Sequence, residues 1–333
     1  MTLMTILRRV ATTRWGTVLF FLALVFSAVS ACSKEGAGPA AKGAAVRGPG
    51  DAATAPKTYP HAFSQMATWD DGLSEMSYYD AVDTIYGKPR HYIRMMLLNR
   101  EWLNPVQRVK AEHPVLSASG KGAAASIPVF KLNIIEQIPT QNYNYRYMVT
   151  VFLNRGTLEP EKLAASSQEW CGTTFKEFQW LPDGLKVRGF SYFEGEGDRQ
   201  WSLPARPVVY PAEALFVVAR AAAASKEDLS LRVLPPARST HLAEPIPRDV
   251  RLEVAKETQS VRMPFGTFTG RRVTVTGAGK HGPTEFTVET APPYRLLTYR
   301  GPGGLTLSLR YQERRAYWDR SKPSRFYRQG AAP

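Results

Sequence analysis

The sequence predicts a mainly β protein, with antiparallel strands in curved sheets or an open half barrel and one or two helices. Apolar and aromatic residues alternate with polar ones along many short segments, which is the side-chain period of a strand. Clusters of glycine, proline and aspartate separate these segments and are typical of turns. One stretch near the middle of the chain has the residue spacing of an amphipathic helix.

Strands can be assigned in order along the chain. The Asp183-Gly184 step is a strong hairpin signal between two of them. The predicted strands of the first half are residues 76–86 and 91–102 around a turn at 87–90, 129–138, 143–153, 164–180 and 185–193. Residues 248–317 hold several more, broken at Gly277-Ala278-Gly279 and at Gly301-Pro302-Gly303-Gly304.

The predicted helix covers about Pro211–Ser225. Proline fits the first helical turn, and Glu213 is favourable at the positive end of the helix dipole. Leu215 and Val218 then fall on one apolar face. The helix lies midway along the chain, so a β-rich domain over residues 63–333 is expected, with two halves joined near 211–225.

The first 32 residues indicate export. Three arginines, Arg8, Arg9 and Arg14, precede the apolar run Thr17–Val29, which is too short to span a bilayer. This pattern predicts a cleaved signal peptide over residues 1–31. Small residues lead into Cys32, as in the lipobox of bacterial lipoproteins, so Cys32 is the predicted lipidation site. Ser33 follows it and favours the outer membrane, with the domain facing the periplasm. An ordinary secretory signal is the alternative.

Residues 32–62 are predicted to be a lipidated cysteine followed by a disordered Gly/Ala/Pro tether. Removal of residues 1–31 takes away three arginines and no acid, so the net charge falls from +14 to +11. Cys171 is then the remaining thiol, and no internal disulfide is expected. The membrane is therefore a predicted partner, through the diacylglyceryl group on Cys32.

Part of the positive charge is concentrated near the C-terminus. Residues 310–333 contain seven basic residues, two acids and five aromatic residues, a mixture that suits an anionic lipid surface. Nucleic acid would suit the same side chains but is not expected in this compartment, so no nucleic-acid partner is predicted. The alternative is a solvated tail that keeps the protein soluble.

The segment Ser166–Phe175 contains the densest group of reactive side chains. Cys171 lies beside Trp170 and close to Glu169, and a lone thiol becomes a nucleophile where a base lowers its pKa. No histidine is near it in sequence. The favoured interpretation is a small buried residue within a strand, because free cysteine is among the most buried residue types.

A second candidate is the acidic turn Ser191–Asp198. Glu194, Glu196 and Asp198 alternate with glycines and resemble the oxygen array of a calcium site. The match to an EF-hand loop fails at its twelfth position, which is Ala205. An ordinary acidic hairpin turn is therefore favoured, and neither a metal nor another cofactor is predicted.

Common enzyme motifs are missing from the sequence. It contains no Gly-x-Ser-x-Gly elbow, His-Glu-x-x-His pair, phosphate-binding glycine-rich loop or Cys-x-x-Cys. Common hydrolases, metalloproteases, nucleotide-binding proteins and redox enzymes are disfavoured accordingly.

Three motifs in order resemble one family. They are KLN at Lys131–Asn133, SSQEWCG at Ser166–Gly172 and SYFEGEGD at Ser191–Asp198. This order is similar to a family of uncharacterised bacterial envelope lipoproteins that often carry the label "septum formation inhibitor Maf", and the likeness runs from about Trp69 to Leu234. The resemblance implies a lipid-anchored envelope protein without an assigned reaction. Its distinctive motifs contain Glu169, Trp170, Cys171, Glu194, Glu196 and Asp198.

The predicted function is non-catalytic binding of an envelope lipid or glycan on a curved sheet. Tyr143, Tyr145 and Tyr147 alternate with polar residues and should share one strand face, which gives that sheet an aromatic surface. One alternative is an enzyme centred on Cys171 and the turn Glu194–Asp198. Another is a structural role as an assembly partner of other envelope proteins.

Overall fold

The computed structural model describes residues 59–117, 124–277 and 282–321. The predicted signal peptide, Cys32, the tether up to residue 58 and residues 322–333 of the basic tail lie outside this described part. Its first element is a short helix, in which Tyr59 and Phe63 are buried. The folded part therefore already includes Tyr59, a few residues before the predicted start at residue 63.

Fifteen strands and two helices make up the described part. The helices are α1 (Tyr59–Ser64) and α2 (Leu215–Ser225), with short 3-10 turns at Ala67–Asp70, Ala212–Ala214 and Pro302–Gly304. The strands are β1 (Ser74–Ile85), β2 (Lys88–Leu103), β3 (Ile127–Pro139), β4 (Asn144–Asn154), β5 (Pro160–Glu169), β6 (Gly172–Leu181), β7 (Gly184–Phe190), β8 (Asp198–Leu203), β9 (Val209–Pro211), β10 (Leu229–Leu234), β11 (Arg248–Met263), β12 (Gly266–Thr276), β13 (Thr284–Glu289), β14 (Leu296–Arg300) and β15 (Thr306–Arg315). Neither described helix has the length and apolarity that crossing a bilayer requires.

All the strands belong to one open sheet. Its order is β8-β7-β6-β5-β4-β3-β2-β1-β15-β14-β13-β12-β11-β10-β9. Strands β1 to β8 form one meander and β10 to β15 another, and pairing of β1 with β15 joins the two. Neighbours are antiparallel except β9 and β10, which are parallel. A parallel pair needs a crossover, and α2 supplies it between these two strands.

The predicted helix is confirmed, with a 3-10 turn as its first part and α2 as its continuation. Lys226 ends it in a left-handed conformation and donates its backbone N–H to Ala222 O at 2.7 Å. All residues from Leu215 to Ala223 are buried, not only one face. A helix that is buried on every side must be surrounded by protein, and here the curved sheet and α1 surround it.

The sheet is curved around α2. Trp180 on β6 donates its indole N–H to Val209 O on β9 at 2.8 Å, although these strands are far apart in the sheet order. Phe216 of α2 contacts Phe286 on β13 and Tyr299 on β14. The prediction of a mainly β fold with a curved, half-closed sheet is confirmed.

A buried ion pair fixes α2 to the sheet. Arg220 makes two hydrogen bonds to the Glu75 carboxylate of β1, at 2.7 and 3.0 Å, and both side chains are at most 6% exposed. The same guanidinium donates to the carbonyl oxygens of Pro293 and Tyr294. It also lies 5.1 Å from the ring centre of Phe63. One side chain thus connects α2 to α1, to β1 and to the loop before β14.

Several predicted strand boundaries were wrong, and β8, β9 and β10 were not predicted. The predicted turn at 87–90 is a two-residue turn at Tyr86-Gly87, where both residues have positive φ, as a tight hairpin turn requires. The predicted strand 164–180 is two strands, β5 and β6, with a turn at Trp170-Cys171. Its two central residues are neither glycine, proline nor asparagine, and the single glycine after them, Gly172, is a weak turn signal.

We expect Arg220→Met to lower the free energy of unfolding by about 3–5 kcal/mol, because it leaves the Glu75 carboxylate buried without a counter-charge. Adding Glu75→Gln should recover part of the loss. Denaturant unfolding followed by circular dichroism measures both variants.

Arg251→Met is the matched control, since it removes an exposed ion pair with Asp228. It should change stability by less than about 1 kcal/mol. Equal losses in the Arg220 and Arg251 variants would contradict a special role for the buried pair.

Candidate functional site

The two motif clusters lie next to each other on neighbouring turns of the sheet. Trp170 and Cys171 form the β5–β6 turn, and residues 191–197 connect β7 to β8. Gly172 packs so closely on the Tyr192 ring that an added Cβ would overlap it. Glycine is thus required where the clusters meet, and the candidate site includes both turns.

Trp170 and Tyr143 form an aromatic pair at the surface. Their rings stack with centroids 5.4 Å apart and planes inclined by 18°, and Trp170 is 80% exposed. The Tyr143 hydroxyl donates to Glu169 Oε2 at 3.3 Å and lies 3.5 Å from Cys171 Sγ. A large indole face therefore remains open to solvent while its other face is supported.

The predicted tyrosine row is confirmed. Tyr145 contacts Tyr143 at 5.5 Å between ring centroids and stacks on Tyr147 at 6.1 Å. The Tyr145 hydroxyl is hydrogen-bonded to that of Tyr86. Burial raises the pKa of Tyr147 to about 12, and burial together with the bond to Tyr86 raises the pKa of Tyr145. At neutral pH these hydroxyls are uncharged.

Polar side chains line an open groove beside the aromatic pair. Its volume is about 570 Å³. We call it the aromatic groove, and it is lined by Asn142, Tyr143, Asn144, Arg146, Gln168, Glu169, Trp170 and Thr173. Two aromatic faces among amides and charged groups provide both stacking and hydrogen bonds, which is a chemistry for binding an amphipathic ligand.

The prediction that Cys171 is buried was wrong. The thiol is free and exposed, because Cys171 occupies a hairpin turn and not the interior of a strand. Its neighbour within hydrogen-bonding distance is the Tyr143 hydroxyl, not a histidine. That contact raises the pKa of Tyr143, so Tyr143 is a poor base for activating the thiol.

The acidic turn does not gather its carboxylates around one point. Glu194 and Asp198 are exposed, whereas Glu196 accepts hydrogen bonds from Ser191 Oγ at 2.6 Å and Leu242 N at 2.8 Å, and lies 2.6 Å from His241 Nδ1. Burial opposes its ionisation, but these hydrogen bonds outweigh burial and lower the pKa of Glu196. In the described residues, no group of three or more His, Cys, Asp and Glu side chains is placed to hold a metal ion.

Glu196 instead holds a long connection in place. Residues 235–247 connect β10 to β11, and we call them the strap. Lys176 donates to the strap carbonyls of Ala237 and Ser239 at 2.9 and 3.1 Å. Burial lowers the pKa of Lys176 to about 8. The ring of His241 on the strap stacks on Phe193 with centroids 4.1 Å apart, so the acidic turn and β6 both fasten the strap.

A buried chain of ion pairs lies beneath the strap. Arg94 on β2 binds Glu136 Oε1 on β3 at 2.6 Å, and Glu136 Oε2 is 2.6 Å from Arg238 Nε of the strap. Arg238 also pairs with Asp83 of β1 at 2.6 Å. The two cations and two anions of this chain balance in charge. Burial alone would raise the pKa of Glu136, but the neighbouring charges of Arg94 and Arg238 outweigh burial and lower that pKa. Nothing in the local sequence marks these residues as partners.

The described part of the basic tail uses two of its arginines within the protein. Arg310 pairs with Asp80 at 3.2 Å, and Arg314 binds Asp71 at 2.7 Å and lies over the Trp69 ring. These two guanidiniums are therefore already neutralised. Binding of anionic lipid by the tail stays a prediction.

We expect Glu196→Ala to loosen the strap, because hydrogen bonds to a charged group contribute about 1.5–3 kcal/mol each. Amide hydrogen exchange at residues 239–242 should speed up, and the melting temperature should fall. Asp198→Ala is the control, since Asp198 is exposed. If calcium raised the melting temperature of the wild type but not of the Asp198 variant, the acidic turn would be a cation site instead.

Comparisons with known proteins leave the family open. No family model matches the chain, and no curated protein matches it significantly. Among solved structures, it is similar to a β-barrel-like protein of the domain of unknown function DUF1849 from Brucella abortus, with 8% sequence identity and a TM-score of 0.43. That alignment covers 73% of this chain and 98% of the Brucella protein. The resemblance to envelope lipoproteins labelled septum formation inhibitor Maf stays a prediction.

Proposed function

We propose that this protein is an outer-membrane lipoprotein, anchored through Cys32, that binds a glycan in the aromatic groove without catalysing a reaction. The observation that carries the proposal is the Trp170–Tyr143 pair, one of whose faces is open to solvent beside polar side chains. Export and anchoring follow from the N-terminal sequence, which lies outside the described residues.

A glycan fits the groove better than a lipid chain. Sugar rings present apolar C–H faces that pack on aromatic rings, and their hydroxyls need donors and acceptors at the edge. Trp170 offers the aromatic ring, while Gln168 and Asn144 offer hydrogen-bond donors and acceptors. An acyl chain needs an enclosed apolar channel, and this groove is open and largely polar.

Binding is favoured over catalysis at this site. A nucleophilic thiol requires a base, and the hydroxyl of Tyr143 beside Cys171 has a raised pKa. Glu169 accepts a hydrogen bond from the same hydroxyl, so it helps to orient Tyr143. Glu169 and Cys171 then act as supports for the Trp170–Tyr143 pair.

One observation favours a role as an assembly partner as the second candidate. On the outer face of the sheet, Met148, Phe175 and Phe190 occupy successive positions across β4, β6 and β7, with Ser166 of β5 between the first two. All three apolar side chains are 41–50% exposed. Such a row suits contact with another protein.

We expect Trp170→Ala to weaken glycan binding by about tenfold or more, because a tryptophan anchor carries a large share of binding energy. Tryptophan fluorescence titration with soluble peptidoglycan fragments and with polysaccharide released from lipopolysaccharide measures the affinity. Trp170→Phe should retain part of it.

Trp318→Ala removes another exposed tryptophan, outside the groove, and is the matched control. It should leave affinity unchanged. Wild-type binding to anionic lipid vesicles and to neither glycan would overturn the glycan assignment. Loss of affinity in both variants would place binding outside the groove.

Cys32→Ala should move the protein from the membrane fraction to the soluble fraction, because the acyl chains are the proposed anchor. Fractionation with immunoblotting detects the change, and metabolic labelling with a palmitate analogue should mark the wild type but not the Cys32 variant. Cys171→Ser is the control and should remain in the membrane fraction. Unchanged membrane association of the Cys32 variant would exclude the lipoprotein assignment.

A further inference from the structure

A small cavity lies inside the curved sheet, beneath the strap. Its volume is about 100 Å³. Pro236 and Arg238 of the strap form part of its wall, and it shares no lining residue with the aromatic groove. Ile134, Val149 and Phe216 contribute apolar wall.

Glu213 supplies an unused polar group to this cavity. It is only 5% exposed and lies in the 3-10 turn that leads into α2. Glu213 Oε1 accepts the backbone N–H groups of Ala237 and Arg238, at 2.7 and 3.3 Å. Glu213 Oε2 has no hydrogen-bond partner among the described residues. A buried polar atom without a partner costs about 1–3 kcal/mol, so a ligand that pairs with it gains affinity.

The protonation of Glu213 decides which group it presents. Burial raises its pKa, although the backbone N–H groups and Lys176 act in the opposite direction. Oε1 already accepts two hydrogen bonds, so a proton on this carboxyl belongs on Oε2. When it is protonated, Glu213 offers an O–H donor to the cavity.

The other charged groups of the cavity wall are satisfied by one another. Arg94, Glu136, Arg238 and Asp83 form the ion-pair chain described above. A charged ligand would upset that balance in a buried place, which is costly. The cavity therefore selects against ions.

We infer that this cavity is a binding site for a small uncharged molecule that places one oxygen acceptor against Glu213 Oε2 and its hydrocarbon part against Val149 and Phe216. At about 100 Å³ the cavity is smaller than the engineered cavity of about 150 Å³ that binds benzene, so it suits a ligand smaller than benzene. This site is independent of the proposed glycan groove.

The test compares two probes of similar shape on the full chain in detergent. Cyclobutanone carries an oxygen acceptor, and methylenecyclobutane replaces it by carbon. Ligand-observed NMR titration should give at least about fivefold tighter binding of the ketone, the worth of about one hydrogen bond. Equal affinities, or no binding of either probe, would overturn the inference.

Variants at two positions locate the binding. Glu213→Gln keeps an acceptor for the strap and an N–H donor for the ligand, so it should retain the preference for the ketone. Glu213→Met should abolish that preference, and Val149→Phe should fill the cavity and block both probes. Near-ultraviolet circular dichroism checks that each variant is folded. Should Glu213→Met unfold the protein, the Val149→Phe result decides alone, and unchanged binding there would refute the site.

Discussion

The ion pair between Arg220 and Glu75 is the constraint on which the remaining structure depends. A helix as apolar as α2 would pack against a sheet in several positions, since burial of apolar surface has no direction. A buried arginine fits in few positions, because its planar guanidinium must meet a carboxylate in the same plane and its remaining N–H donors need acceptors. Glu75 and the carbonyls of Pro293 and Tyr294 supply them, and so fix both the depth and the rotation of α2.

The candidate sites follow from that position. With α2 fixed, the 3-10 turn before it sets Glu213 beneath the strap, and Glu213 binds the backbone of Ala237. Arg238, the next strap residue, completes the ion-pair chain with Glu136. The strap then reaches Glu196, which explains why the acidic turn closes inward and not around a cation. A change at Arg220 should therefore disturb residues far from it in sequence.

Local signals in the sequence predicted most of the fold, and contacts distant in sequence account for what they missed. Alternation found the regions of β1 to β7 and of β11 to β15 but missed β8, β9 and β10, and the Pro211–Ser225 pattern found the helix with its first turn. Glu75 and Arg220 are 145 residues apart, and no periodicity relates them. Cys171 was misplaced because the two central residues of its turn are neither glycine nor proline, so the segment resembles a continuous strand. The residues of the aromatic groove were singled out in part, since Trp170 and Glu169 stand in a distinctive motif, but no local pattern pairs them with Tyr143.

The two proposed sites differ in what surrounds their polar groups, and this difference assigns them different ligands. In the aromatic groove, Arg146, Gln168 and Asn144 are exposed, so water satisfies them until a hydroxyl-rich ligand replaces it at little cost. In the cavity, the charged groups form ion pairs with one another, whereas Glu213 Oε2 has neither an ion pair nor a hydrogen bond among the described residues. Replacement of one partner of an ion pair in the cavity leaves the other charge buried and uncompensated. A groove residue, in contrast, can be exchanged without harm to folding. Substitutions in the groove should therefore change ligand affinity without changing stability, whereas substitutions in the cavity should change both.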